Sequence, residues 1–216
     1  FVSSADNLVP DDTNGVRDIF VRDMETGMVE RVNVASDGTQ ANAGHIGYWG
    51  HYTYTSISSN GRYVAFTSLA DNLVPGDENG LEDVFVHDRE TVTTQRVSVS
   101  SAGLEGNKDC LLVDMSADGR FVVFYLTLSS EGGFFIHDRD TGETKAIPDQ
   151  LGYAAAISDD GHHLAFSTPD GISVFDQQTD CGTARNSDRS RPPKDSRALR
   201  DWRPVRSRPA HRRNRR

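Results

Sequence analysis

The sequence predicts an all-β fold built from repeated four-stranded antiparallel units, because three short modules recur along the chain. Residues 1–34 align without gaps to residues 66–99, with 20 identities in 34 positions. A second module recurs three times, as ISSNGRYVAF, MSADGRFVVF and ISDDGHHLAF, beginning at residues 57, 115 and 157. A third recurs four times, as DIFVRDMETG, DVFVHDRETV, GFFIHDRDTG and GISVFDQQTD, beginning at residues 18, 83, 133 and 171. Internal repetition of this kind indicates a repeat architecture.

Each module reads as a strand or as a turn. The runs at 62–66 and 83–87 are short and rich in β-branched and aromatic residues, which favours strands. The Asn-Gly or Asp-Gly pair at the centre of the second module predicts a hairpin turn, since both residues tolerate positive φ. A Thr-Gly pair at residues 26–27 and 141–142 predicts another turn before a fourth strand. Val92 replaces that glycine in the second copy, so its turn is expected to differ or to carry strain.

Four strands per unit, with a base period near 40 residues, are the pattern of a β-propeller blade. The modules IS-x-DGRYVAF and D-x-FVHDR-x-TG resemble the repeats of the TolB-like β-propeller family, which is related to WD-repeat propellers and found in bacterial envelope proteins. The resemblance covers residues 1 to 179 and implies a ring of about six blades when complete. This chain supplies only part of such a ring. We therefore expect either a fragment of a larger propeller or a chain that completes its ring by association, because an open stack leaves two apolar faces uncovered.

The propeller is predicted to occupy residues 1–182. Its parts are a partial blade at 1–34, blades at 53–99 and 110–148, and a partial blade at 153–179. Residues 183–216 depart from the repeat and are rich in Arg and Pro, so we expect a basic disordered tail. The tail is interpreted either as an arm for anionic surfaces or as the product of a frameshift inside the fourth blade, and the break in mid-blade favours the frameshift.

Charge and composition restrict the function classes. Residues 1–184 carry 10 Lys and Arg against 29 Asp and Glu, so the body should repel nucleic acid and attract cations or basic partners. No run of 18 apolar residues exists, which argues against a membrane span. The two cysteines, Cys110 and Cys181, form no metal-ligand motif; one disulfide between them is the alternative to two inert thiols, which the sequence favours. The chain starts at Phe1 inside an apparent strand, and a signal peptide is not present in it.

Two acidic loops are the sharpest candidates for a site. ADNLVPDDTNG at residues 5–15 returns as ADNLVPGDENG at residues 70–80. Alternating oxygen donors around a glycine resemble the first half of a calcium loop, so a calcium site is predicted at Asp12, Asn14 and Asp18 and at Asp77, Asn79 and Asp83. The alternative is purely structural: Asn-Gly is an ordinary turn former, and Asp18 and Asp83 are placed to accept bonds from backbone amides of the loop.

An aromatic insert is the second candidate. Residues 43–55, AGHIGYWGHYTYT, have no counterpart in the other units. Exposed Tyr, Trp and His are suited to recognition of a peptide or a glycan, whereas the structural interpretation is that they cover a blade edge. The predicted binding patch consists of Tyr48, Trp49, His51, Tyr52 and Tyr54.

The other repeated polar residues favour structural roles. His87 and His137 stand at equivalent positions in successive units, where a catalytic residue would have no reason to recur. An aspartate ends the third strand in all four units, at Asp23, Asp88, Asp138 and Asp176, which suits a side chain that binds the amides of the following turn. The sequence contains no GxSxG, P-loop or HExxH motif, and no catalytic residue or cofactor other than calcium is predicted.

The sequence therefore predicts a non-catalytic propeller scaffold that binds a protein or peptide through loops on one face, with a glycan as the alternative ligand. The alternatives are the propeller domain of a larger enzyme, such as a prolyl-oligopeptidase-like peptidase or another hydrolase or lyase, and a calcium-stabilised surface protein. The resemblance implies a periplasmic or secreted location.

Overall fold

Antiparallel sheets account for all of the regular structure that can be described. The structure is a computed structural model that describes residues 1–44, 55–127, 133–147, 155–168 and 171–179, with the backbone alone of 181–185. Its strands form four separate sheets in chain order, one with three strands and three with four. In each sheet, every strand pairs with the one before it along the chain, which is the order of a propeller blade.

Blade 1 has three strands, β1 (Val2–Ser3), β2 (Asp18–Arg22) and β3 (Val29–Arg31). Blade 2 has four strands, β4 (Thr55–Ile57), β5 (Tyr63–Ser68), β6 (Asp83–Asp88) and β7 (Thr93–Arg96). Both strands at the centre of blade 2 are buried on their two faces, β6 along its whole length, because another blade packs against each side of the sheet.

Blade 3 consists of β8 (Cys110–Met115), β9 (Phe121–Leu126), β10 (Gly133–Asp138) and β11 (Thr144–Ala146). The register between β8 and β9 shifts between Leu112 and Asp114. This bulge turns the Asp114 carboxylate toward both neighbouring blades, where it accepts hydrogen bonds from Ser56 Oγ at 3.3 Å and from the backbone N–H of Ile157 at 3.1 Å.

Blade 4 consists of β12 (Ala155–Ile157), β13 (His163–Thr168), β14 (Gly171–Asp176) and β15 (Cys181–Arg185). β15 pairs with β14 in continuous antiparallel register from Asp176↔Cys181 to Ile172↔Arg185. β15 therefore crosses the predicted boundary between residues 182 and 183, while the division into a propeller and a disordered basic tail stays a prediction. Residues 186–216 lie outside the described residues.

The turns use the residues that the repeat predicted. Gly61, Gly119 and Gly161 of the hairpin modules all have positive φ, between 73° and 76°. Val92 also has a positive φ, 54°, where blades 1 and 3 have Gly27 and Gly142, so the strain expected from the sequence is confirmed. The left-handed conformation costs an L-residue about 1–2 kcal/mol, and more crowding is expected for a β-branched side chain.

Successive blades are joined by one repeated set of contacts. The Tyr63 ring of blade 2 lies against Gly119 of blade 3, and Phe121 of blade 3 lies in the same way against Gly161 of blade 4. The hairpin turns are also linked in series, because Ser59 N donates to the Ala117 carbonyl at 2.8 Å and Ala117 N donates to the next turn at 3.1 Å. Equivalent contacts at successive interfaces are what a propeller requires. The predicted all-β propeller fold is confirmed, as an incomplete ring.

Candidate functional site: the connector face

Two long connectors and the segments beside them form one face of blades 1 and 2. A connector joins β1 to β2 (residues 5–17), and another joins β5 to β6 (residues 70–82). The segment at 35–44 lies between them: Gln40 Oε1 accepts a hydrogen bond from the first connector, and the Gln40 carbonyl accepts one from Asn72 in the second. We call residues 5–17, 35–44, 70–82 and 99–109 the connector face.

The first connector is organised around an arginine. Asn14 forms the turn, with its Oδ1 accepting the Val16 N–H at 3.2 Å and its Nδ2 donating to Asp18 Oδ1 at 3.0 Å. Arg31, on β3, points its Nη1 at Asp12 from 2.9 Å and at Asp18 from 3.4 Å. The three residues predicted to bind calcium are therefore brought together, with a guanidinium beside both carboxylates.

The second connector repeats this arrangement with 65 residues added to each number. Asn79 Nδ2 donates to Asp83 Oδ2 at 2.9 Å. Nη1 of Arg96 lies 3.1 Å from Asp77, 3.4 Å from Asp83 and 3.1 Å from Glu105. Three carboxylates thus converge on one guanidinium nitrogen, whereas two do so in blade 1.

The difference between the connectors arises from a single pair of equivalent residues. Gln40 Oε1 accepts the backbone N–H groups of residues 13 and 14 in blade 1, and Glu105 Oε2 accepts those of residues 78 and 79 in blade 2. Both side chains therefore hold the same turn. Glu105 adds a negative charge that Gln40 lacks.

The carboxylates of the second connector are partly desolvated, and this sets their ionisation. Burial, followed by repulsion from Asp83, raises the pKa of Asp77 to about 6. Burial also raises the pKa of Asp83, although the hydrogen bond from Ser98 and the charge of Arg96 oppose the change. The charge of the Arg96 guanidinium opposes both increases, since it lowers the pKa of Asp77 and of Asp83.

These contacts correct one expectation about the connectors. Asp18 and Asp83 do not accept bonds from backbone amides of the connector; Asp18 accepts from Asn14, Arg31 and Asn33, and Asp83 from the equivalent side chains. The amides of the turn are bound instead by Gln40 and Glu105.

Calcium binding at either connector stays a prediction. Within the described residues, carboxylate oxygens of Asp77, Asp83 and Glu105 lie close enough together to share one ion. The space among them is faced by Nη1 of Arg96, so an ion could bind all three only if the guanidinium moved away. As arranged, this set of side chains fits an internal arginine better than calcium, which requires six to eight oxygen ligands.

The aromatic binding patch cannot be placed in the same way. Tyr48, Trp49, His51, Tyr52 and Tyr54 lie outside the described residues. The segment that leads into them is on the connector face, where the Ala43 carbonyl accepts a hydrogen bond from Ser68 Oγ at 3.3 Å.

The recurring histidines and aspartates lie away from this face. His87 and His137 are buried, and each Nδ1 is hydrogen-bonded to a threonine hydroxyl, Thr94 at 2.9 Å and Thr144 at 2.8 Å. Each threonine hydroxyl also donates to a carbonyl of the preceding blade, so these pairs join blades, and the structural interpretation of the histidines is confirmed.

The four aspartates bind turn amides as predicted. Asp23, Asp88 and Asp176 each accept two backbone N–H groups of the following turn, and Asp138 accepts one.

Two repeated arginines that pair with these aspartates are not among the residues predicted from the sequence. Arg62 and Arg120, from the DGR modules, form bidentate pairs with Asp88 and Asp138 at 2.7–2.9 Å. Their recurrence in phase with the aspartates was a signal available in the sequence.

Exposed carboxylates lie on both faces of the blades. Five carboxylates are exposed on the connector face, and in the part of the chain that the structure describes none of them forms an ion pair with an arginine or lysine. On the opposite face, which carries the hairpin turns, the exposed Glu90 and Asp140 pair with Arg62 and Arg120. Five other exposed carboxylates of that face form no ion pair with an arginine or lysine among the described residues, namely Asp23, Glu25, Asp118, Asp159 and Asp160. The five residues of the connector face are Asp6, Asp11, Asp37, Asp71 and Glu78.

Comparison with known proteins gives structural likeness only. No protein-family profile and no curated protein sequence matches the chain. Solved structures similar to it include TolB from Acinetobacter baumannii, with 18% identity, a TM-score of 0.49 and coverage of 77% of this chain and 37% of that one. A putative TolB from Agrobacterium tumefaciens has 14% identity, a TM-score of 0.45 and coverage of 78% and 56%.

A peptidase is similar to the same degree. Dipeptidyl peptidase 4 from Porphyromonas gingivalis has 15% identity, a TM-score of 0.49 and coverage of 74% of this chain and 28% of that one. The chain therefore spans between about a quarter and just over half of the length of these proteins. The described residues contain no helix long and apolar enough to cross a membrane.

Proposed function

We propose that the chain is a non-catalytic propeller scaffold that binds a basic segment of a protein or peptide through the connector face. The observation that carries the proposal is the group of five exposed carboxylates on neighbouring loops, which form no ion pair with an arginine or lysine in the described part of the chain, against one exposed arginine, Arg17, on the same loops. Unpaired charges of one sign on neighbouring loops steer a partner of the opposite charge and increase its rate of association.

The architecture supports recognition by this face. Each connector is fixed by its own arginine and by Gln40 or Glu105, so the exposed carboxylates project from loops of defined conformation. A preorganised loop loses little conformational entropy on binding. The aromatic residues predicted as a binding patch follow directly after residue 44, and we include them in the proposed surface as apolar anchors.

The buried polar groups support a scaffold rather than a catalyst. Their side chains are engaged in contacts that recur from blade to blade, such as His87 with Thr94 and His137 with Thr144. A catalytic site needs a particular arrangement in one place, whereas these pairs repeat. A GxSxG motif downstream in the full reading frame would argue instead for the propeller of a larger peptidase.

We also propose a periplasmic or secreted location, on the resemblance of the repeated modules to TolB-like propellers. The test is fractionation of the producing bacterium with an antibody against this chain. Recovery in the periplasm or the medium is expected, and recovery in the cytoplasm would refute the location without affecting the proposed binding surface.

Titration calorimetry with charged peptides tests the binding surface. A Lys- and Arg-rich peptide is expected to bind, with an affinity that falls as salt is added, while a Glu- and Asp-rich peptide of equal length is not. Two variants with four neutralised carboxylates each provide the matched comparison. The connector-neutral variant is Asp6→Asn, Asp11→Asn, Asp71→Asn and Glu78→Gln, and the turn-neutral variant is Glu25→Gln, Glu90→Gln, Asp140→Asn and Glu143→Gln.

The connector-neutral variant should bind the basic peptide at least about tenfold more weakly, because each removed surface charge contributes a few tenths of a kcal/mol. The turn-neutral variant should bind almost as the unmodified chain does. Equal loss in both variants would show that only net charge matters and would refute the connector face as the binding surface.

A further inference from the structure

Three Asn-Gly pairs occur in the chain, and they lie in turns of two kinds. Asn14 and Asn79 belong to the connectors, whereas Asn60 lies in the hairpin turn between β4 and β5, on the opposite face. The glycine that follows has nearly the same φ in all three pairs, between 66° and 73°. Because glycine has no Cβ, its backbone nitrogen can approach the side-chain amide carbon of the asparagine before it. The three pairs therefore differ in the contacts of the asparagine.

The amide of Asn60 is exposed, and its oxygen is bound by two donors. Oδ1 accepts the hydroxyl of Ser58 at 2.7 Å and the backbone N–H of Arg62 at 3.0 Å. The Ser58 oxygen accepts the N–H of Tyr63 at 2.9 Å, so its own hydrogen is directed to Asn60. Nδ2 has no hydrogen-bond partner among the residues that the structure describes. Two donors on this oxygen stabilise the negative charge that it acquires when the amide carbon is attacked.

The amides of the two connector asparagines are bound at the nitrogen instead. Nδ2 of Asn14 donates to Asp18 Oδ1 at 3.0 Å and to the Ala41 carbonyl at 3.1 Å. Its Oδ1 accepts one N–H, that of Val16, at 3.2 Å. Both hydrogens of the nitrogen are thus bound, and the adjacent carboxylate opposes a negative charge on the amide oxygen. The equivalent bonds of Asn79 are to Asp83, Gly106 and Leu81.

We propose that Asn60 is a site of spontaneous deamidation in the folded chain, and that Asn14 and Asn79 are protected from it by the contacts of their amides. The turn that carries Asn60 lies away from the connector face, so the proposal is independent of the binding surface. The same dipeptide is thus reactive at one place in the fold and protected at two others.

The reaction needs only water. Hydroxide removes the proton of the Gly61 N–H, the nitrogen forms a bond with Cγ of Asn60, and the bond from Cγ to Nδ2 breaks. Ammonia leaves with a proton from water. Water then opens the succinimide at either carbonyl and gives aspartate or isoaspartate, with no oxidation or reduction. A shallow pocket that is open to solvent includes Asn60 and Gly61 in its lining, so water and hydroxide reach the turn.

The hydrogen bonds of the glycine nitrogens sharpen the expectation. The N–H of Gly61 donates to the Ser58 carbonyl at 2.8 Å, so the turn must open locally before the nitrogen attacks. Deamidation of Asn60 should therefore be slower in the folded chain than in the unfolded one. Among the described residues, the N–H groups of Gly15 and Gly80 form no hydrogen bond, so protection of the connectors depends on the asparagine amides alone.

The two products differ in their effect on the turn. Aspartate is the residue that blades 3 and 4 carry at this position, where Asp118 and Asp160 accept the same two hydrogen bonds. Isoaspartate adds one carbon to the backbone of a turn in which the Ser59 N–H donates to the Ala117 carbonyl of blade 3 at 2.8 Å. Isoaspartate at position 60 therefore weakens this link between blades 2 and 3.

Peptide mapping by mass spectrometry tests the proposal on the whole folded chain, incubated at pH 8 in water enriched in oxygen-18. Asn60 should exchange its amide for labelled oxygen at least about tenfold faster than Asn14 or Asn79, since one additional donor to an oxyanion changes a rate by that factor or more. The same incubation in guanidinium chloride is the control. There the three pairs should react at similar rates, because the contacts that distinguish them are lost.

The outcomes that overturn the proposal are distinct. Labelling of Asn14 or Asn79 in the folded chain as fast as Asn60 would refute it. Absence of label at Asn60, after the unfolded chain has reacted fully, would also refute it. The isoaspartate form, separated by chromatography, should unfold at a lower urea concentration than the fresh chain, whereas the matched variant Asn60→Asp should not. Equal stability of the isoaspartate form and Asn60→Asp would contradict the weakened link to blade 3.

Discussion

Replacement of Arg96 by methionine tests the interpretation of the second connector as a site held by an internal cation. The guanidinium is nearly buried and lies 3.1–3.4 Å from three carboxylates, of which those of Asp77 and Asp83 are also nearly buried. Methionine retains most of the length and apolar volume of the side chain but leaves these acids without a counter-charge. Breaking a buried ion pair from one side costs about 3–5 kcal/mol, so we expect a loss of about 4 kcal/mol in the free energy of unfolding at pH 8.

The loss should become smaller in acid. The pKa of Asp77 is already about 6, and removal of Arg96 would raise it further, so part of the unpaired charge is removed by protonation at pH 5. Each unit of that rise reduces the penalty by about 1.4 kcal/mol. Urea unfolding followed by far-UV circular dichroism at pH 8 and pH 5 measures both values.

Two matched variants give the comparison. Arg31→Met, in blade 1, leaves two carboxylates instead of three and should cost less than Arg96→Met. Arg17→Met, at an exposed position of the first connector, should change stability by less than about 0.5 kcal/mol. A loss below about 1 kcal/mol for Arg96→Met at pH 8 would refute the reasoning, because a buried cation among acids cannot be removed at so small a cost.

Three further outcomes are expected. Val92→Gly should raise the free energy of unfolding by about 1 kcal/mol by relieving a left-handed valine, and a loss of stability in urea unfolding would contradict this. Burial lowers the pKa of His137 to about 4, so the stability that the neutral imidazole contributes is complete above pH 6.5 and lost as pH falls through 4. His137→Phe should therefore reduce the dependence of the free energy of unfolding on pH between 6.5 and 4. An unchanged slope would refute this assignment. EDTA should leave the thermal midpoint unchanged, since Nη1 of Arg96 faces the carboxylates, and a decrease that calcium reverses would show that an ion binds there.

The strands and turns of the blades could be predicted from the sequence because the residues that form each turn are close together in the chain. Each hairpin module carries its own turn residues, and each third strand ends in an aspartate that binds the next few amides, so pattern and contact lie within ten residues of each other. The fourth strand of blade 4 was missed for the opposite reason. Residues 181–185 have a poor strand composition, and their pairing with β14 satisfies backbone groups irrespective of side chains.

The arginine that pairs with the acids of each connector could not be predicted from the connector sequence alone, although the repeat pattern indicated it. Arg31 and Arg96 stand 19 residues after Asp12 and Asp77, on a different strand. In blade 3, which has no such connector, Ala146 takes the position of the arginine opposite Phe135. The arginine is thus present where the acidic connector is present and absent where the connector is absent. The sequence favours calcium because the spacing of oxygen ligands within one loop forms a recognisable motif. An arginine on a strand outside the loop gives no such local motif.

The stacking of successive sheets as blades is tested most directly by alanine at two glycines. Gly119 and Gly142 have nearly equal positive φ values, 76° and 74°, so both substitutions carry the same backbone strain, about 1–2 kcal/mol. A Cβ at Gly142 would meet nothing within 4 Å, whereas at Gly119 it would lie within 3.0 Å of three atoms of Tyr63 in the preceding blade. Urea unfolding should therefore show a loss for Gly119→Ala that exceeds the loss for Gly142→Ala by about 1–3 kcal/mol, and the excess should shrink in a Tyr63→Ala background. Equal losses for the two glycines would contradict the stacking of blade 2 on blade 3.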